Sequence, residues 1–192
     1  YTIQPSLADY PAHQYGEIAY PGVDKQVHYM EDIFVGYRYA DLYGTRRPIK
    51  YASQGVQYTI NPPKRKPTFP FGFGLSYTQF EYSDISVVKE GKEVVVTFKV
   101  TNAGKVAGAE VAQVYVSDDE SSIQRPVKEL KGFDKVFLEP GESRTLSIRL
   151  GDKSFRFYDP YLHRFVLEDG SFTISVGASV ADIRLTASVN ME

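Results

Sequence analysis

The sequence has no cysteine, no tryptophan and only 2 methionines in 192 residues. Without cysteine, neither a disulfide framework nor a thiolate metal site can form. No apolar run approaches the roughly 20 residues that span a bilayer, so no membrane span is expected. Charge of one sign is also missing: 22 basic against 24 acidic residues leave a net −2. Bulk electrostatics therefore give no reason to expect nucleic acid or an anionic membrane as partner. There is no Asn-x-Ser/Thr acceptor, and no secretory leader is recognisable. The sequence opens at Tyr1 in mid-pattern, which leads us to expect a longer parent chain.

Aromatics are plentiful instead, with 15 tyrosines and 12 phenylalanines. Such side chains bury large areas and cover apolar surface at domain junctions. They also stack on sugars, but core and interface packing is the simpler reading.

The two halves of the chain follow different patterns. Residues 1–80 are broken by Pro5, Pro11, Pro21, Pro48, Pro62, Pro63, Pro67 and Pro70. No 3.6-period apolar stripe of useful length occurs there. Asp32 to Tyr39 is the one segment expected to form a short strand. The segment carries Tyr10, Tyr15, Tyr20, Tyr29, Phe34, Tyr37, Tyr39, Tyr43, Tyr51 and Tyr58, with no evident core to bury them. It is expected to lie extended across a surface that is partly outside this chain.

Residues 81–192 alternate with period two, in short runs separated by turn signals. Strands are expected at Phe80–Val88, Glu93–Thr101, Ala109–Val116, Leu130–Leu138, Arg144–Leu150, Phe155–Tyr158, Arg164–Leu167, Gly170–Gly177 and Ile183–Val189. In the second run Val94, Val96, Phe98 and Val100 share one face. Asn102-Ala103-Gly104 is read as a turn tolerant of positive φ. Seven to nine short strands without a helix imply an all-β fold, an antiparallel immunoglobulin or fibronectin type III-like sandwich.

Several segments are more specific. Glu31 to Tyr39 reads E-D-I-F-V-G-Y-R-Y. Phe69 to Phe80 reads F-P-F-G-F-G-L-S-Y-T-Q-F. Asn102-Ala103-Gly104 precedes Gly108 to Val116, G-A-E-V-A-Q-V-Y-V. Arg125 to Phe133 reads R-P-V-K-E-L-K-G-F, followed by Leu138 to Glu142 and Gly177-Ala178-Ser179. In this order they resemble the C-terminal part of family 3 glycoside hydrolases of the β-glucosidase kind. Asp32 stands where that family often has glycine, and residues 44–66 form a longer, basic insertion.

The resemblance implies a layout: a barrel bearing the nucleophilic Asp, an α/β sandwich domain bearing the acid/base, then a fibronectin type III-like domain. Residues 1–80 would be the connector and the tail of the α/β sandwich domain. No catalytic residue is expected in this chain. The expected partners are the missing N-terminal catalytic domains and, for the parent enzyme, an oligosaccharide or aryl β-glycoside substrate. A homodimer of the fragment would be another way to cover its rings. Periplasmic, secreted and cytoplasmic locations in a bacterium all remain open.

Retaining glycosidases need two carboxyl groups about 5–5.5 Å apart. The acidic clusters here are Glu31-Asp32, Asp118-Asp119-Glu120 and Glu168-Asp169, and each reads as a solvated turn or an interdomain ion pair. Asp118-Asp119-Glu120 lacks the spacing of a dedicated calcium loop. His13, His28 and His163 are scattered, so no metal site is expected, nor any cofactor. Gly72-Phe73-Gly74 lacks a helix after it, and Ser76 lacks the second glycine of a nucleophile elbow. Lys64-Arg65-Lys66 reads as a solvated loop or a contact with an absent acidic surface. Glu31, Tyr37, Arg38 and Tyr39 are the candidates for interdomain or active-site-rim contacts, with Arg38 opposite both tyrosines if the segment is a strand. A stand-alone carbohydrate-binding module and a structural cell-surface sandwich are the alternative readings.

Overall fold

Proline and glycine set the path of the first part of the chain. The computed structural model describes residues 1–45, 48–53 and 56–192, and the chain divides into two compact units, Tyr1–Gly72 and Phe73–Glu192. Arg46, Arg47 and the Tyr51 side chain, which figure in the basic insertion and the aromatic series, lie outside the described residues.

In the smaller unit, three 3₁₀ turns follow one another at Leu7–Asp9, Pro11–Gln14 and Gly16–Ile18. Pro11 opens the second, where its missing N–H costs nothing. A single helical turn, α1 (Tyr37–Ala40), precedes a hairpin of β1 (Ile49–Ser53) and β2 (Val56–Ile60).

The strand expected at Asp32 to Tyr39 is not formed. Asp32 and Gly36 take positive φ, 51° and 58°, outside the region of regular extended backbone. The chain then turns into α1, with Ala40 N–H donating to Gly36 C=O at 3.2 Å. This coil turns Phe34, Tyr39 and Leu42 inward and leaves Ile33 and Val35 exposed. With Ile49 and Ile60 they form a core of five buried residues, against which Tyr15 packs. The expectation that this half has no core is therefore overturned: the hairpin supplies two of its walls.

The larger unit is built from period-two strands. These are β3 (Phe80–Glu90), β4 (Glu93–Asn102), β5 (Gly108–Asp118), β6 (Glu129–Leu138), β7 (Ser143–Gly151), β8 (Phe157–Asp159), β9 (Arg164–Val166), β10 (Gly170–Ser179) and β11 (Asp182–Met191). One sheet has the order β3-β4-β7 and the other β11-β10-β5-β6, while β8 and β9 form a separate hairpin. All these pairings are antiparallel. The unit is an all-β sandwich, as the strand pattern predicts.

The core lies between the two sheets. Val94, Val96, Phe98 and Val100 of β4 are fully buried, facing Ala112, Val114 and Val116 of β5 and Phe172, Ile174 and Val176 of β10. Each such aliphatic or aromatic side chain contributes roughly 1.5–3 kcal/mol on burial. Gly132 of β6 lets the sheets approach, since a Cβ there would lie 2.6 Å from Ile148 Cγ2 of β7. Turns close the strands: Gly91 (φ 62°) joins β3 to β4 and Gly141 (φ 78°) joins β6 to β7.

Candidate functional site

The candidate residues of the smaller unit lie around α1. Tyr39 is buried, and its hydroxyl accepts a hydrogen bond from Gln14 Nε2 at 2.6 Å. Burial, only partly offset by that bond, holds the Tyr39 phenol above its ordinary pKa. Gln14 also donates to Asn61 C=O at 3.0 Å and accepts from Asn61 N–H at 3.1 Å. Tyr15 donates to Thr59 C=O at 3.2 Å. The 3₁₀ turns are thus stitched to β2 and its exit. Tyr37 is half-buried, its ring 5.0 Å from that of Phe71. Glu31 and Arg38 are also half-buried. On a helical turn Tyr37, Arg38 and Tyr39 fan around the axis about 100° apart, so Arg38 does not stand opposite both tyrosines as a strand would place it.

The basic run is exposed, as a solvated loop should be, and Arg65 in it is engaged within its own unit. Arg65 donates to both Asp9 carboxylate oxygens, at 3.1 and 2.5 Å, and to Ser6 Oγ at 2.9 Å. The Arg65 bond, more than any other contact, holds the Asp9 carboxyl below the usual range. Lys66 Nζ lies 5.9 Å from the Tyr43 ring centroid.

Asn102 organises one end of the sandwich. Its side chain is fully buried. Its Oδ1 accepts from Thr78 Oγ1 at 2.6 Å and from Gly104 N–H at 3.0 Å. Its Nδ2 donates to the carbonyls of Val106 and Leu138 at 2.8 and 3.0 Å. Its backbone bonds the β6–β7 turn, donating to Glu142 C=O and accepting from Gly141 N–H. Gly104 follows for want of space rather than for positive φ: a Cβ would sit 2.1 Å from Thr78 Oγ1. The positive-φ reading of this turn is corrected accordingly. Thr78 lies in a strap, residues 73–79, that displays Leu75 and Tyr77 to solvent at 91% and 102% exposure. Ser76 Oγ accepts from Thr78 N–H at 3.2 Å and shapes that strap.

The acidic clusters are mostly spent within the sandwich. Asp118 and Arg125 pair at 2.8 Å, and both side chains are over nine-tenths buried. Arg125 also reaches Glu129 at 3.3 Å and Phe155 C=O at 3.1 Å, over the Phe157 ring. Asp119 accepts from the hydroxyls of Ser171 and Thr173, both at 2.9 Å. Glu168 accepts from Ser122 N–H at 3.0 Å and from the Ser122 hydroxyl. Asp118 is thus neither a solvated turn residue nor an interdomain partner but half of a buried pair inside one domain. His13, His28 and His163 are exposed and scattered. Among the described residues, no cluster of three or more His, Asp or Glu could hold a metal ion. No helix among them is long and apolar enough to cross a membrane.

One cluster escaped the sequence reading. Tyr82 of β3 donates to Glu110 Oε1 of β5 at 2.9 Å. Arg184 of β11 lies 4.8 Å over the Tyr82 ring and donates to Phe80 C=O at 2.6 Å. Its guanidinium also pairs with Asp182 at 2.8 Å. Glu110 sits in a motif, but an isolated glutamate on an alternating strand gives no signal of cross-sheet pairing.

A fibronectin type III-like domain model matches residues 110–180. Along nearly its whole length the chain is also similar to β-glucosidases. It is 43% identical over 184 residues to thermostable beta-glucosidase B of Acetivibrio thermocellus, covering 94% of this chain and 22% of that protein. It is 40% identical over 184 residues to beta-glucosidase BoGH3A of Bacteroides ovatus, again 94% of this chain and 22% of that protein. The crystal structure of the GH3 beta-glucosidase of Bifidobacterium adolescentis superposes with a TM-score of 0.83 at 36% identity, over 99% of this chain and 25% of that one. The larger unit is therefore a fibronectin type III-like β-sandwich. The chain as a whole corresponds to the C-terminal part of family 3 glycoside hydrolases of the β-glucosidase kind, and spans about 22% of the length of these curated relatives.

Proposed function

We propose that this chain is the non-catalytic C-terminal portion of a retaining β-glycosidase that hydrolyses terminal non-reducing β-glycosides. The observation that carries this reading is likeness over 94% of the chain to β-glucosidases of which it spans 22%. The carboxylates described above support it. Asp9, Asp118 and Asp182 are each engaged by an arginine of this chain, Arg65, Arg125 and Arg184, as structural ion pairs are. In this reading residues 1–80 are the connector and tail of the preceding α/β sandwich domain, and 81–192 the terminal sandwich. Together they stabilise and pack catalytic domains lying N-terminal to them. Glu31, Tyr37 and Arg38 serve as interdomain or active-site-rim contacts; Tyr39, a candidate with them, is buried in the core of the smaller unit with its hydroxyl held by Gln14. The parent's substrate is an oligosaccharide or aryl β-glycoside.

The test is release of nitrophenol from β-glucoside and β-xyloside by the purified 192-residue chain, alone and after adding catalytic domains of a relative. The chain alone should give none, and its addition should slow thermal inactivation of those domains. Turnover by the isolated chain that survives repurification would overturn the proposal.

A further inference from the structure

Glu110 carries a carboxylate into the gap between the two sheets with little to balance it. It is half-buried, and it accepts a hydrogen bond from a neutral group, the Tyr82 hydroxyl at 2.9 Å. The nearest guanidinium, Arg184, is committed elsewhere: to Asp182 through Nε and Nη2, at 3.2 and 2.8 Å, and to Phe80 C=O through Nη1. The titratable and charged groups acting on Glu110 are Tyr82 from β3 and Arg184 and Asp182 from β11. Its neighbour across the β5–β6 ladder is apolar Val136. The cluster joins three strands: β3 from one sheet, β5 and β11 from the other.

We propose that Tyr82, Glu110 and Arg184 form a proton-sensitive clasp between the sheets, which holds the start of β3 more firmly when Glu110 is neutral than when it is charged. A charged carboxylate at this depth has lost water without gaining a direct ion pair, and the simplest relief is for the clasp to open and admit water. Burial holds the Glu110 carboxyl above its ordinary pKa, while the Tyr82 and Arg184 contacts pull it partly back. The same burial raises the Tyr82 phenol, so Tyr82 stays a donor throughout the range in which Glu110 titrates.

The sign follows from linkage. A carboxyl raised in the folded state binds more protons there than in the unfolded chain. Its contribution is therefore complete below the unfolded value and is lost as pH rises through the folded one. The clasp is thus strongest in acid, opposite to Asp182 beside it, whose carboxyl Arg184 holds down.

The test uses the full chain. Carbon-13 NMR of the side-chain carboxyls should show Glu110 titrating above a normal glutamate. Tyr82→Phe removes the donor and should raise that midpoint further. In Glu110→Gln the melting temperature, taken relative to wild type, should climb by about 2–4 °C from about pH 4 to about pH 8, since the amide cannot ionise. The inference is overturned if Glu110 titrates at or below a normal glutamate, or if the difference between Glu110→Gln and wild type is flat or falls with pH. Should Glu110→Gln fail to fold, the wild-type and Tyr82→Phe titrations decide the matter alone.

Discussion

The two units solve the problem of holding an aromatic-rich chain in different ways. The sandwich spreads its stability over nineteen buried core residues and the strand ladders of two sheets. Among the described residues of the smaller unit, one core cluster of five buried side chains and a short hairpin are joined by side chains that reach across the sequence. Gln14 is 47 residues from Asn61, and Arg65 is 56 from Asp9. Loop-built structure of this kind has few ladder hydrogen bonds to lock it, so each cross-link matters and local opening is cheap. Even within the sandwich the polar contacts are unequal. Asn102 and Arg125 are buried and satisfied, while Arg149 with Glu90 and Glu93 sits on the surface.

That contrast can be broken by mutation. The largest effect is expected at Asn102. Asn102→Ala would strand Thr78 Oγ1, Gly104 N–H and two carbonyls, and should cost about 4–5 kcal/mol in urea unfolding. A loss under about 1 kcal/mol would mean that water replaces the side chain. Arg125→Met comes next, at about 3–4 kcal/mol, because it leaves Asp118 buried without its partner. The double change with Asp118→Asn should recover part of that loss, which a purely packing role for Arg125 would not allow.

Ile60→Ala should cost about 2–3 kcal/mol within the smaller unit only. Amides of Phe34 to Leu42 should exchange faster while those of Val94 to Val100 do not change. Acceleration of both by the same factor would show one cooperative body. The smallest effect is expected at Arg65. Arg65→Gln should let the Asp9 carboxyl titrate nearer its ordinary value by NMR, with no loss of fold. The sign is the usual acidic one: held down in the folded state, Asp9 loses its contribution as pH falls through its folded pKa, and the variant should lack that dependence.

Much of the sandwich was legible because its strands bury one face each. Val94 to Val100 and Leu146 to Leu150 alternate in sequence and are buried in space, so period two was enough to find them. The smaller unit was not legible in that way. Ile33, Val35 and Tyr37 alternate too, yet Gly36 turns the chain and the alternation is never used. The β1–β2 hairpin was missed because Pro48 and the charges around it read as loop. The basic run was read rightly as exposed, but the Arg65–Asp9 pair was not legible because the two residues lie 56 apart in sequence. Glu110 was passed over because one acid on a strand reads as an exposed face, and only the second sheet reveals its company.

Asn102 also bears on how this domain can change length. The strap before β3, the β4–β5 loop, the end of β6 and the β6–β7 turn all meet its atoms. A residue inserted into any of them would move a partner out of reach, so that end should accept substitutions but resist insertions. The opposite end is tied too, by Arg125, which reaches Asp118, Glu129 and Phe155 C=O, but through fewer segments of backbone turn. There Asp118 runs on to Glu129, and Gly151 to Gly170 makes room for a whole extra hairpin, β8–β9. An insertion at that pole is therefore tolerated where β8–β9 stands, past the Phe155 carbonyl that Arg125 holds, and not between Asp118 and Glu129.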